Sequence, residues 1–495
     1  MGGRYHSCMR LAAWVVVLAV ALAPRAFGQT SGQASTQTAV QSLPDLGSVD
    51  SVLTPLMEKR LGDAIMREIK TQDPQYVDDP EISDYLQQLG SQLTGGRQDF
   101  EFFAIRENTI NAFALPGGYV GVHTGLISTA ETESELASVL AHEVSHVTQR
   151  HIARAVAQQQ QLQMPMIAAL AAAILLGRAR PDLAVGAAVG AQAAGIQSQL
   201  AYSRDFEREA DRIGLERLDA AGFDAHAMAT FFERMQRANR ISEDSTMPGY
   251  FRTHPVTSER IADVQNKAAS MPYRQHLDSP EFQLVRAKLR SEQGDARDAV
   301  SYFQTALKEH RYANESAARL GLAYAFLRAN QVPQAQIEVG KIRELGVASP
   351  MIDMLDARAR HAAGDAKGAT DVVARARERY PNWRALTYAY IAGLQELGKN
   401  DEAIAVSREA VARYPRDARV YGMQAKIYAM LGKRLLQHQA QAEVYALQGA
   451  LPSAIEQLSL ARAAGDGDFY QLSVVDARLK ELRAQYTQEM KEAKR

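Results

Sequence analysis

Apolar positions recur every three or four residues over long stretches of this chain, the spacing of helices with one buried face. One stretch runs from near Ser51 through Ile69 and a second from Asp79 to Leu93. The pattern then shortens to alternation. FEFFAI from Phe100, INAFAL from Ile110 and YVGVHTGLI from Tyr119 read as three short strands, with Pro116-Gly117-Gly118 as the turn before the last. Helical spacing returns near Thr129, where Glu131, Glu133 and Glu135 suit the first turns of a helix. Its apolar stripe is Leu136, Val139, Leu140, Val144 and Val147.

Beyond Ser279 a longer period takes over. Gly294, Gly364, Gly398 and Gly432 stand 70, 34 and 34 apart, and Asn330 divides the first interval into 36 and 34. GDARDAV, GDAKGAT and GKNDEAI follow three of these turns, and Tyr380-Pro381 and Tyr414-Pro415 are again 34 apart. That period is the signature of tetratricopeptide repeats, each a helix–turn–helix. Gly449 comes only 17 after Gly432, so an extra helix before an atypical capping unit is expected there. The fold expected is mainly α: residues 49–274 as one domain with a small sheet, then residues 275–495 as an all-α repeat solenoid.

The N-terminal pattern differs from both. Arg4 and Arg10 precede an apolar run from Leu11 to Ala23, too short to span a bilayer comfortably, and Ala26-Phe27-Gly28 follows. Residues 1–28 read as a secretory signal peptide cut after Gly28, and 29–48, rich in Gln, Ser and Thr, as a flexible leader. Residues 164–194 are rich in Ala, Gly and Leu. They read as two helices over the core, or as a lid or a surface that meets lipid or substrate. The only cysteine, Cys8, lies ahead of the cut. A mature chain without cysteine excludes disulfides and thiolate-ligated zinc, so a metal site must use His and carboxylates. A net charge of −1 gives no global argument for nucleic acid.

One segment has the residues for such a site. His142 and His146 are four apart in LASVLAHEVSHV, hence on one helix face, where two nitrogens can reach one tetrahedral zinc. Glu143 between them can take a proton from water that the metal activates. Two His and a Glu in so apolar a helix are costly without a purpose. A third ligand is needed. His151 lies five after His146 where one class of such sites needs a His at six, so His151 reads as a surface residue or a support. SRDFEREADRIG is the better source. Glu207 can ligate, and Asp211, four residues on, can accept the free ring N–H of a ligating His. Glu209 competes for the ligand role but points about 200° away from Glu207.

HEVSH with a downstream Glu-x-x-x-Asp resembles peptidase family M48, the Ste24- and HtpX-type gluzincins, and His254-Pro255-Val256-Thr257-Ser258-Glu259-Arg260 is similar to that family's His-Pro-x-x-x-x-Arg. The resemblance implies Glu207 as third ligand, with His254 and Arg260 at the site helping to hold the oxyanion. It also implies that NAFALPGGYVGV is an edge strand pairing with substrate backbone, near Asn111. In the family's periplasmic, repeat-bearing subgroup it implies one zinc per chain and unfolded or stalled outer-membrane proteins as substrates. There the repeats contact the β-barrel assembly machinery, and His254 is a fourth, resting-state ligand. The competing reading is a repeat-based chaperone or adaptor with a structural metal site. Glu143 argues against it, because a structural site needs no general base. An integral membrane peptidase fails for want of long apolar spans.

Overall fold

The computed structural model describes residues 53–97, 99–158, 203–241 and 254–492. The readings of a signal peptide, a leader and an apolar segment at 164–194 lie outside them. No helix among the described residues is long and apolar enough to cross a membrane.

Helices Pro55–Gln72 and Pro80–Leu93 come first. Asp79 caps the second, its carboxylate accepting from the backbone N–H of Glu81 and Ile82, and Pro80 stands where no N–H is needed. Ile82, Leu86, Leu89 and Leu93 bury one face.

The three expected strands form one sheet. These are β1 (Glu101–Ile105), β2 (Ala112–Leu115) and β3 (Tyr119–His123), in the order β1-β3-β2. β1 runs parallel to β3 and β2 antiparallel, so among the described residues β2 is an edge. Gly118 makes the turn at φ 94°, and a Cβ there would sit 2.1 Å from the carbonyl oxygen of Asp99. The third apolar run was expected to stay extended, but Thr124–Thr129 is a short helix. Leu126 and Ile127 are buried in it, and a short apolar run does not distinguish helix from strand.

The long helix expected from near Thr129 is Glu133–Thr148. Thr132 Oγ1 accepts from the Glu135 N–H while the Glu135 carboxylate takes the Glu131 N–H, a reciprocal cap that sets the start. Residues 203–220, His226–Ile241 and Ser258–Ala269 are also helical.

Twelve helices from Pro280–Ser291 to Phe469–Glu492 follow in pairs. The turns inside the first five pairs carry Gly294, Asn330, Gly364, Gly398 and Gly432, all at positive φ, with Asn330 at 57°. Asn tolerates that region better than other side-chain-bearing residues, so it can stand in for Gly there. The expected extra helix at Gly449 is not found. Gly449 ends the second helix of the fifth pair, Arg434–Leu447, and the sixth pair turns at Gly465, 33 residues after Gly432. The period continues; Gly449 marks a turn between pairs, as Gly346 does.

By packing the chain divides into residues 1–59 with 148–206, and residues 60–147 with 207–495. In the first unit His151 is buried and stacked on Phe206, ring centroids 4.3 Å apart, rather than at the surface. Arg150 there pairs with Glu58 at 2.7 Å. In the second, one apolar core runs from Val77 through Phe231 and Leu284 to Leu386, joining the sheet domain to the first repeats.

Candidate active site

Glu133–Thr148 brings His142, Glu143 and His146 into the interior, with His142 fully buried and Glu143 nearly so. The 203–220 helix lies against it. Glu207, Asp211 and Gly214 fall on one face, and a Cβ on Gly214 would come 3.3 Å from the Cα and N of His142. Glycine mid-helix costs roughly 1 kcal/mol in propensity. Here it lets the two backbones approach, a role that the residue pattern alone did not suggest.

His254 enters from the loop before Ser258–Ala269. Thr257 caps that helix by accepting the Arg260 N–H, and Arg260 Nη1 donates back to the Pro255 carbonyl at 2.9 Å. The spacing of His254-Pro255 and Arg260 is therefore the span of one cap and one turn, closed on itself by the guanidinium.

Four side chains converge. His142 Nε2 lies 3.0 Å from His146 Nε2, 3.3 Å from His254 Nδ1 and 3.4 Å from Glu207 Oε2. Glu207 Oε1 lies 3.4 Å from His146 Nε2 and 3.0 Å from His254 Nδ1. One donor atom from each of the four lies within 4.8 Å of the others. Bonds of about 2.0–2.1 Å to a tetrahedral zinc imply donor–donor edges of about 3.3 Å, close to these separations. Buried lone pairs aimed at one point repel unless a proton or a cation lies between them. The donor set therefore fits a metal ion such as zinc, with nitrogen and oxygen donors and no sulfur.

The surrounding charges fit as well. Asp211 Oδ1 stands 2.9 Å from His142 Nδ1, which leaves Nε2 for the metal. Arg260 Nε and Nη2 donate to the two Asp211 oxygens at 2.7 and 2.8 Å, and its Nη1 lies 2.8 Å from Glu207 Oε2. Its geometry orients the two carboxylates, and Phe232 packs beneath it, 5.3 Å from the guanidinium carbon. Burial disfavours charge on Glu207, yet His254 and His142 hold its carboxyl well below the ordinary range. Asp211 is likewise held down, against its own burial, by His142 and Arg260. Burial of His142 is outweighed by its bonds to Asp211 and Glu207, which push the imidazole up to about 10 in the metal-free chain.

Glu143 Oε1 is buried, has no hydrogen-bond partner among the described residues and lies 3.4 Å from His254 Nε2. Glu209 is not in the converging group. Asn111 Oδ1 is also buried and without a hydrogen-bond partner among the described residues. Its backbone carbonyl accepts from the His123 N–H, so Asn111, Phe113 and Leu115 turn their hydrogen-bonding groups toward β3. Ala112 and Ala114 turn theirs outward; Ala112 is buried and Ala114 half-buried.

The model of peptidase family M48 matches residues 78–268, and a tetratricopeptide-repeat model matches residues 291–359. The putative beta-barrel assembly-enhancing protease of Vibrio cholerae is 38% identical over 301 residues, 59% of this chain and 62% of that protein. This match thus spans under two thirds of the Vibrio protein. The beta-barrel assembly-enhancing protease of Escherichia coli K12 is 33% identical over 459 residues, 89% of this chain and 91% of that protein. The mitochondrial metalloendopeptidase OMA1 of Schizosaccharomyces pombe is 34% identical over 166 residues, 34% of this chain and 46% of that protein.

Proposed function

Because this chain belongs to peptidase family M48 and is a metallopeptidase with tetratricopeptide repeats, we propose that it is exported to the periplasm and cleaves unfolded or stalled outer-membrane polypeptides. The observation that carries the catalytic part is the convergence of His142, His146, Glu207 and His254 beside a buried Glu143 oxygen that has no hydrogen-bond partner among the described residues. The substrate and the compartment rest on the relatives named for β-barrel assembly and on the N-terminal sequence pattern. Assisting barrel assembly, with the repeats contacting the assembly machinery, belongs to the same proposal. Domain limits near 274 and 275 are part of it too.

In this reading His142, His146 and Glu207 hold one zinc ion. Zinc bound there supplies Lewis-acid polarisation of water and of the scissile carbonyl. Glu143 takes a proton from the attacking water and returns it to the leaving amine. Asp211 fixes the His142 tautomer, and Arg260 keeps Asp211 and Glu207 ionised and oriented. Ala114 offers an outward N–H and C=O to an extended substrate, which selects unfolded chains because a folded segment cannot present its main chain. His254 would be a fourth ligand at rest and would give way to substrate. Its Nδ1 lies among the donors and its Nε2 faces Glu143.

The test compares the mature chain with Glu143→Gln, zinc content measured in both, on an unfolded β-rich protein. Equal zinc with cleavage lost by about a hundredfold or more is expected. Equal cleavage by both would overturn the assignment of Glu143. For His254→Ala, higher basal cleavage is expected. A large drop would place His254 in the transition state instead.

A further inference from the structure

The acidic run Asp78-Asp79-Pro80-Glu81-Ile82-Ser83-Asp84 meets a row of donors from successive repeats. Lys288 Nζ lies 2.6 Å from both Asp79 Oδ2 and Glu81 Oε2. Tyr324 Oη is 3.3 Å from Glu81 Oε2, and Arg358 Nη2 is 2.8 Å from it. Arg384 Nε donates to Asp84 Oδ1 at 2.7 Å, while the Ala385 N–H donates to Oδ2 at 3.0 Å. Arg419 pairs with Asp78. Glu81 is fully buried and Lys288 almost so.

The row has a register. Lys288, Tyr324 and Arg358 each stand six residues before the turn residue of their own pair, Gly294, Asn330 and Gly364. Three consecutive repeats thus use one equivalent position to reach one carboxylate. Arg384 and Arg419 stand in the first turns of the opening helices of the next two pairs. In the fifth pair the position six before Gly432 is Lys426, which is exposed and makes no ion pair among the described residues. In the fourth pair the equivalent position is Ala392, so past the filled part of the row a basic side chain recurs at that position in the fifth pair alone, at Lys426.

Burying ion pairs gains little over apolar packing, but removing one partner leaves a costly buried charge, so each carboxylate of the run is held to a matching donor. Repeat proteins read extended ligands with equivalent positions of successive units. We propose that the opening helices of the repeats form a groove that recognises acidic, helix-initiating polypeptide segments, and that residues 78–84 are its built-in occupant. A partner segment with clustered carboxylates competes for the same donors.

The probe is a labelled synthetic peptide spanning residues 74–93, titrated with the full chain and read by fluorescence anisotropy. Wild type, with its groove filled, is expected to bind weakly. Glu81→Gln/Asp84→Asn is expected to bind about tenfold more tightly or better, with affinity falling as salt rises. Adding Arg358→Ala and Arg384→Ala is expected to abolish the gain. A peptide with its carboxylates replaced by amides is expected not to bind. The proposal is overturned if the double variant, with wild-type far-UV circular dichroism, binds no more tightly than wild type, or if the amide peptide binds as well as the acidic one. Should the double variant not fold, Asp84→Asn alone, whose amide oxygen can still accept from Ala385, is held to the same comparison.

Discussion

Asp211 touches the site through one ring nitrogen and the guanidinium of Arg260, so its removal should act on metal binding before fold. Outer partners of this kind typically set 10–100-fold in affinity. Asp211→Asn is expected to weaken zinc binding by about that factor, measured by competition with a chelator of known affinity; unchanged affinity would show that His142 needs no such partner. The same residues predict a pH signature. His142 is raised from its ordinary 6.5 to about 10 in the metal-free chain, so its contribution to stability is complete below 6.5 and is lost as pH rises through about 10. Glu207 and Asp211 are depressed, so theirs is present above the ordinary carboxylate range and lost only in stronger acid. The melting temperature of the metal-free chain should therefore fall between pH 6.5 and about 10. The zinc-loaded chain should lack that fall, because a ligating imidazole is already neutral. Parallel alkaline profiles for the two forms would contradict this account of His142. The resemblance of Glu207-x-x-x-Asp211 to the family motif implies Glu207, whereas the pairing of Arg260 with both carboxylates was not readable, since no local pattern links positions 49 and 53 residues apart.

Elements decide how closely these residues meet. Gly214→Ala should gain roughly 1 kcal/mol of helix propensity while pressing on the His142 backbone, so the two effects nearly offset in stability. The expected outcome is a melting temperature close to wild type with zinc affinity lowered several-fold; unaltered affinity would mean that the helices part without disturbing the ligands. In the sheet, Ala114→Pro removes an N–H that points away from β3 and leaves the β2–β3 ladder intact. Cleavage efficiency on unfolded protein is expected to drop about tenfold with zinc content unchanged. Full retention would remove β2 from the substrate path. Alternation in INAFAL marked a strand, but which of its residues face outward follows from the bond between Asn111 and His123. That bond depends on pairing, not on the strand's own sequence.

Across the whole molecule the metal site, the sheet and the first repeats share one core, so metal binding should be felt as global stability. A ligand bound to the folded state alone stabilises it by mass action. Chelation is expected to lower the melting temperature by several degrees, with recovery on adding zinc. An unchanged transition would mean that the four donors are held without the ion. Local sequence determined a good deal here. The period of 34, the positive-φ turn residues, the caps at Asp79 and Thr257, and the placement of two His on one helical face with a Glu beside them each depend on neighbours within a turn or a repeat, so they are written in short stretches of chain. Tertiary structure decided the rest. It brought His254 into the donor set, gave Arg260 to two carboxylates, buried His151, and laid the acidic run at 78–84 across the repeats. Those outcomes depend on which distant faces pack together, and packing free energy is a property of the folded whole rather than of any one segment.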